Sequence, residues 1–185
     1  MKRIFIAVKI DPEQILMRIY DSLKSVLGGE RINWTDPSNI HLTLAFLGDT
    51  EDELIKMVSI MLKQKCTGFG EFGFNISGTG VFKNYRDPRV IWMGIEHSDK
   101  LIQLNDQIIK GLKDAGFIPG ERHFKPHLTL GRIKSIRNTD TLSSALEKYQ
   151  DARIQEAEVK EVILFESILK PTGPIYKEIG KFSLK

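Results

Sequence analysis

The chain has 185 residues, 41% of them hydrophobic and 28% charged, enough to bury a sizeable core without covalent staples. With 27 basic against 24 acidic residues the formal charge is +3, which admits a phosphate or nucleic-acid partner but excludes a polycation that binds by charge alone. The single cysteine, Cys66, excludes an internal disulfide and fits a reducing compartment.

Residues 1–9 begin with two basic residues and an apolar stretch, but Lys9 and Asp11 interrupt it too soon for a signal peptide, so it reads as a first strand. No apolar run approaches membrane-spanning length, and a cytoplasmic location is expected. Asp11 and Pro12 have the pattern of an N-cap followed by a first-turn proline. Ile15, Leu16, Ile19, Leu23, Val26 and Leu27 follow at helical spacing until Gly28-Gly29. A short strand at Arg31–Trp34 and a longer one from His41 come next. Thr50-Glu-Asp-Glu53 then reads as a capping box, opening a helix with Leu54, Ile55, Val58, Met61 and Leu62 on one side.

Phe72 to Phe82 and Arg89 to Ile95 read as two strands joined by the polar turn 83–88. Ser98 is placed to cap a helix bearing Leu101, Leu104, Ile108 and Leu112, which Gly116 stops. A loop from Pro119 to Pro126 leads to a strand from His127, and Thr139 or Asp140 opens a short helix. Two closing strands are expected, about Ala157–Leu169 and Ile175–Leu184. With no low-complexity or Gly/Ser-rich linker, the two sequence halves should form packed lobes. Hairpin-linked strands with few helices point to an α+β fold of largely antiparallel sheet.

The tetrapeptide His-Leu-Thr-Leu occurs twice, at 41–44 and at 127–130, almost half a chain length apart. A specified four-letter string containing a histidine recurs by chance in a chain of this size only about once in several hundred trials. Each copy sits in an alternating run, so a period of two puts His41, Thr43 and Ala45 on one face and Leu42, Leu44 and Phe46 on the other. The second copy sets His127, Thr129 and Gly131 against Leu128 and Leu130. Two such polar faces brought together make a cleft holding two imidazoles and two hydroxyls.

That set suits phosphodiester hydrolysis by in-line water. One neutral imidazole removes a proton from the water while a protonated one supplies a proton to the departing alkoxide, and the ordinary histidine pKa of about 6.5 serves both tasks. The threonine hydroxyls can donate to the non-bridging phosphate oxygens. A solitary His-x-Thr is more often a structural hydrogen-bonded pair, but a purely structural duplication would let the polar face drift, and here both polar residues recur. Two imidazoles could also bind zinc. Neither motif, however, places a carboxylate or cysteine on the same face, so no complete ligand set is evident and no cofactor is expected.

With these strands in hand, the chain resembles the two-histidine (2H) phosphoesterase superfamily, marked by paired His-x-Thr-x motifs. Within it the chain is most similar to the bacterial and archaeal RNA 2′,3′-cyclic phosphodiesterases, also called 2′-5′ RNA ligases. The similarity runs through residues 3–7, 41–48, 88–94, 124–132 and 167–176. It implies a single bilobal domain over 1–185, in which two pseudo-symmetric lobes with outer helices face each other across a central cleft. It further implies metal-independent hydrolysis of an RNA 2′,3′-cyclic phosphate end to a 2′-phosphate, with 2′-5′ ligation as the reverse. In the family the first-motif histidine, here His41, is the proton donor and the second, His127, the acceptor, a direction that the near-symmetry of the motifs does not set. Thr43 and Thr129 would hold the phosphate.

Arg132 matches a family residue near the phosphate, yet strict alternation from His127 puts it on the leucine face. It reaches the cleft only if the strand ends, twists or bulges first. Arg89, Arg122, His123 and Lys125 lie where they could approach an RNA backbone, and Phe124 and Tyr85 could stack on a terminal base. The expected partner is RNA with a 2′,3′-cyclic end, tRNA fragments among the candidates, and the protein is expected to be a monomer without an obligate protein partner. Two alternatives remain open: an RNA-end binding module without turnover, and the same chemistry on a small cyclic nucleotide or a 2′-5′ oligonucleotide. Retention of both imidazoles speaks against simple phosphate binding, which Arg or Lys would serve better at neutral pH.

Overall fold

Apolar residues at two-residue spacing build nine strands, and at helical spacing four α-helices, among the residues described by this computed structural model, 1–117, 124–171 and 173–185. In chain order β1 (Lys2–Lys9) precedes α1 (Gln14–Val26), β2 (Arg31–Trp34) and a 3₁₀ turn at Pro37–Asn39. Then come β3 (His41–Thr50), α2 (Asp52–Cys66), β4 (Phe72–Phe82), β5 (Val90–Glu96) and α3 (Asp99–Asp114). The chain closes with β6 (His127–Ser135), α4 (Thr139–Glu147), β7 (Arg153–Val159), β8 (Glu161–Lys170) and β9 (Gly173–Ser183).

The strands form one antiparallel sheet in the order β7-β4-β5-β6-β3-β1-β8-β9, with β2 also pairing β6. The two His-Leu-Thr-Leu strands meet at its centre through a single bridge, Leu42 opposite Leu128. On either side of that seam lie four strands, β3-β1-β8-β9 and β6-β5-β4-β7. The α2 and α3 pair covers the first set and the α1 and α4 pair the second. This is the expected α+β, two-lobed arrangement, but the lobes are not the two halves of the sequence. α1 follows β1 yet packs against β7 and α4, whereas α3 follows β5 yet packs against α2 and β3. One hydrophobic core, including Leu42, Leu44, Leu128 and Leu130, runs under both sets on the helix-covered face. A second, smaller cluster of Phe5, Ala7, Ile163 and Phe165 lies on the opposite face of the first lobe, with Tyr176 against it.

The expected strand over 157–169 is two strands. Lys160 separates β7, which pairs β4 at one margin of the sheet, from β8, which pairs β1 in the other lobe. The chain crosses the molecule there with no Gly or Pro to announce it. Helix starts also differ from expectation, because tertiary partners replace local caps. α1 begins at Gln14, not at Pro12, and Gln155 of β7 ties down its start, accepting from Glu13 N–H and donating to Asp11 O, both at 2.9 Å. Thr50 is the buried last residue of β3 and donates to Gly48 O at 3.1 Å, so no capping box forms. Asn138, rather than Thr139 or Asp140, caps α4 by accepting from Thr141 N–H at 3.0 Å. Leu54 is exposed, while Ile55, Val58, Met61 and Leu62 enter the core.

Candidate active site

The two motifs share a backbone device that alternation alone does not reveal. Opposite β1, Ala7 pairs Thr43 but Ile6 pairs Ala45, so Leu44 is an extra residue on β3. Opposite β5, Trp92 pairs Thr129 but Ile91 pairs Gly131, so Leu130 is the extra residue on β6. Each is a β-bulge at the last leucine of the tetrapeptide, and a bulge shifts every later side chain to the other face. The burial patterns agree: two consecutive buried residues, Leu44-Ala45 and Leu130-Gly131, precede an exposed one, Phe46 and Arg132.

Four placements follow. Ala45 and Gly131 belong to the core face rather than beside the histidines; a Cβ at Gly131 would lie 2.8 Å from Ile32 Cγ2. Phe46 is on the histidine face, opposite Phe5 in register and with their ring centroids 5.9 Å apart. Arg132 joins that face too, through the bulge that its role requires. With Leu42 facing Leu128, His41 falls across from Thr129, and Thr43 across from His127. The histidines are therefore diagonal neighbours, which a regular antiparallel pair holds about 7–8 Å apart.

The imidazoles are held alike. His41 Nδ1 lies 2.7 Å from Asn39 O, and His127 Nδ1 lies 2.7 Å from Lys125 O. A carbonyl only accepts, so both Nδ1 atoms carry hydrogen and both Nε2 atoms are left to exchange protons. Aromatic rings fix the imidazole planes: Phe5 and Tyr176 at 5.0 and 5.2 Å from His41, and Phe82 at 4.5 Å from His127. Burial holds both histidines below their ordinary range, and the carbonyl bonds act in the opposite direction. The Arg132 guanidinium lowers both further, and His127 adds to the effect on His41. The bulge puts Arg132 on the same face of the sheet as both rings, where its charge reaches each of them. Burial raises the Tyr176 phenol while Arg132 pulls it down, so Tyr176 borders the same site.

The remaining sequence candidates divide. Arg89 is exposed but pairs with Asp87 at 3.1 Å on the β4–β5 turn. Lys125 is exposed and contributes its backbone carbonyl to His127. Phe124 is partly buried and packs against the main core. Tyr85 lies on the β4–β5 turn with its ring partly exposed, and burial and then the charge of Glu147 push its phenol up. Arg122 and His123 lie outside the described residues. Asn39, Phe5 and Phe82 were not legible as site residues. Tyr176 had a signal only in the segment of family resemblance, and a carbonyl two residues before a histidine leaves no mark on the sequence.

A narrow cavity of ≈ 80 Å³ beside His41 is lined by Lys9, Ser38, Asn39, Tyr176 and Glu178 among others. A larger one of ≈ 640 Å³ lies at the β4–β7 margin, lined by Glu71, His97, Glu156, Glu158 and Lys160 among others and by neither tetrapeptide. No helix among the described residues is long and apolar enough to cross a membrane.

The chain is similar to known proteins. A protein of Methanothermobacter thermautotrophicus named RNA 2′,3′-cyclic phosphodiesterase is 35% identical over 184 residues, covering 98% of each chain. One of Archaeoglobus fulgidus with the same name is 34% identical over 180 residues, 97% of this chain and 99% of its own. A crystal structure of a Thermus thermophilus protein superposes with a TM-score of 0.81 at 29% identity, covering 98% of this chain and 97% of its own. Escherichia coli LigT complexed with 3′-AMP shares the fold, with a TM-score of 0.73 at 21% identity over 99% of this chain and 98% of its own. The family model described as LigT-like phosphoesterase matches residues 8–92 and 95–176, so the chain belongs to that family, within the two-histidine phosphoesterases.

Proposed function

We propose that the protein is an RNA 2′,3′-cyclic phosphodiesterase that opens a terminal cyclic phosphate to a 2′-phosphate, with His41 as proton donor and His127 as acceptor. The observation that carries this reading is the pair of Nδ1-anchored imidazoles, diagonal across one seam, with Arg132 turned toward both by the bulge at Leu130. The curated relatives' shared name supports the substrate.

In the reaction water attacks phosphorus as the P–O3′ bond breaks. The water proton passes to His127 Nε2, and His41 Nε2–H protonates O3′, leaving the phosphate on O2′. Thr43, Thr129 and Arg132 face the non-bridging oxygens, where negative charge is held in the transition state. The Nδ1–H bonds to Asn39 O and Lys125 O stabilise whichever ring is cationic. Because the free site favours neutral imidazoles, an anionic phosphodiester offsets the depression and helps recruit the proton that His41 must carry. Among the described residues no group of three His, Cys, Asp or Glu side chains is placed to hold a metal, and the scheme uses protein groups alone. Joining a 2′-phosphate end back through the same transition state is the 2′-5′ ligation direction.

The test is an RNA oligonucleotide ending in a 2′,3′-cyclic phosphate, incubated with the protein in EDTA. A 2′-monophosphate end is expected. A 3′-monophosphate, or binding without turnover, would overturn the reading.

A further inference from the structure

We propose that Phe46 is the platform on which the nucleobase next to the cyclic phosphate stacks, so that the nucleoside side of the substrate lies in the first lobe. This rests on the cyclic-phosphodiesterase reading of the site. The argument begins with equivalence. His41-Leu-Thr-Leu-Ala-Phe46 and His127-Leu-Thr-Leu-Gly-Arg132 carry the same bulge at the same step, so Phe46 and Arg132 occupy corresponding positions, each turned onto the histidine face. Nearer the seam the copies differ only at Ala45 against Gly131, both buried in the core, so on the histidine face this pair is where the two motifs diverge. One position presents a guanidinium suited to phosphate oxygens, the other a phenyl ring that no phosphate can use.

The phenyl is 66% exposed, although its face of the first lobe offers an apolar cluster to bury against. Its ring lies 5.9 Å from that of Phe5 in the cluster, and the Phe5 ring lies 5.0 Å from that of His41. An aromatic ring held open to solvent one ring away from the proton donor suits an occupant that is flat, apolar on its faces and tethered to the reacting phosphate. A 2′,3′-cyclic phosphate supplies one, since its ribose carries the base. A base stacked on Phe46 brings the ribose, and with it the leaving O3′, to the His41 side of phosphorus, leaving the His127 side to water. The two-fold likeness of the motifs is thereby broken in the sense that the proposed proton transfers require. Every base has an aromatic face, so such a platform tolerates all four.

The test compares Phe46→Ala, Phe46→Leu and Phe46→Trp on two substrates: a nucleoside 2′,3′-cyclic phosphate and the corresponding 1-methylriboside 2′,3′-cyclic phosphate, which lacks the base. Loss of one stacking contact predicts a fall in kcat/KM of roughly 5- to 100-fold for Phe46→Ala on the nucleoside substrate, with little change on the abasic one. Phe46→Leu should resemble Phe46→Ala, and Phe46→Trp should resemble the parent. A second readout needs no turnover: 2-aminopurine riboside 2′-phosphate should lose fluorescence on binding the parent protein, and not on binding Phe46→Ala. Equal losses on both substrates, or none on either, would overturn the platform while leaving the cyclic-phosphodiesterase reading intact. Failure of the parent protein to open either cyclic phosphate would instead remove that reading, and then retained quenching would support the platform alone.

Discussion

The two halves of the cleft follow one local rule and reach different chemistry. In both, a histidine donates Nδ1–H to the carbonyl two residues back, a leucine enters the common core, a threonine faces the cleft, and a second leucine bulges. Beyond that step the first half shows an aromatic wall of Phe5, Phe46, Phe165 and Tyr176, while the second shows Arg132 with Asn33 and Val90 opposite it on the neighbouring strands. Duplication supplies the proton-transfer pair. Asymmetry after the bulge supplies polarity, a cationic side and an aromatic side.

Breaking the shared part should have the largest effect. His41→Ala and His127→Ala remove the acid and the base, each worth about 10²–10⁴-fold, and should each reduce cyclic-phosphate opening by at least that much in a single-turnover assay. Full activity in either variant would reject the pair. Erasing the asymmetry comes next: Arg132→Phe makes the two sides alike and removes the cation facing the developing charge, so kcat should fall about 10²–10³-fold. A change confined to KM would place Arg132 in ground-state binding only.

The comparison also sharpens at the core face of the bulge. Ala45 is buried without conflict, whereas the equivalent Gly131 has β2 alongside, with Ile32 where a methyl would go. Gly131→Ala should therefore cost about 1–3 kcal/mol of stability by overpacking, read from the denaturant midpoint, and the same substitution made beside Ile32→Ala, which removes the opposing Cγ2, should cost less than it does in the parent. The smallest effect concerns pH. Both histidines titrate lower in the folded protein than the ordinary value of about 6.5. Between the folded value and 6.5 the unfolded chain thus binds more protons, so their contribution is complete above 6.5 and declines as pH falls through that window. A His41→Gln/His127→Gln protein should lose less Tm than the parent between pH 6.5 and 5. An equal loss would assign the acid sensitivity to other groups.

Much of this was readable in the residues. His41, Thr43, His127 and Thr129 are brought together as their pattern implied, and both leucine pairs enter the core. What failed did so where a non-local partner intervened. Strict alternation misplaced Ala45, Phe46 and Gly131 because a bulge is defined by the strand opposite, not by the strand that carries it. Lys160 looked like one polar residue inside a strand because the reversal there is dictated by β4 and β1, which claim β7 and β8 separately.

The crossing at Lys160 carries one more consequence. β8 inserts between β1 and β9, so the wall behind His41 is assembled from the first nine residues and the last twenty-five or so together. Contacts of such long sequence separation form slowly and only after loop closure. A nascent chain emerging from the ribosome would expose the His41 strand early, yet hold it without its backing until residues 161–183 have followed. Catalytic competence would then wait on β8 and β9, and a truncation that spares both tetrapeptides but removes these strands would leave the His41 imidazole without Tyr176 beside it.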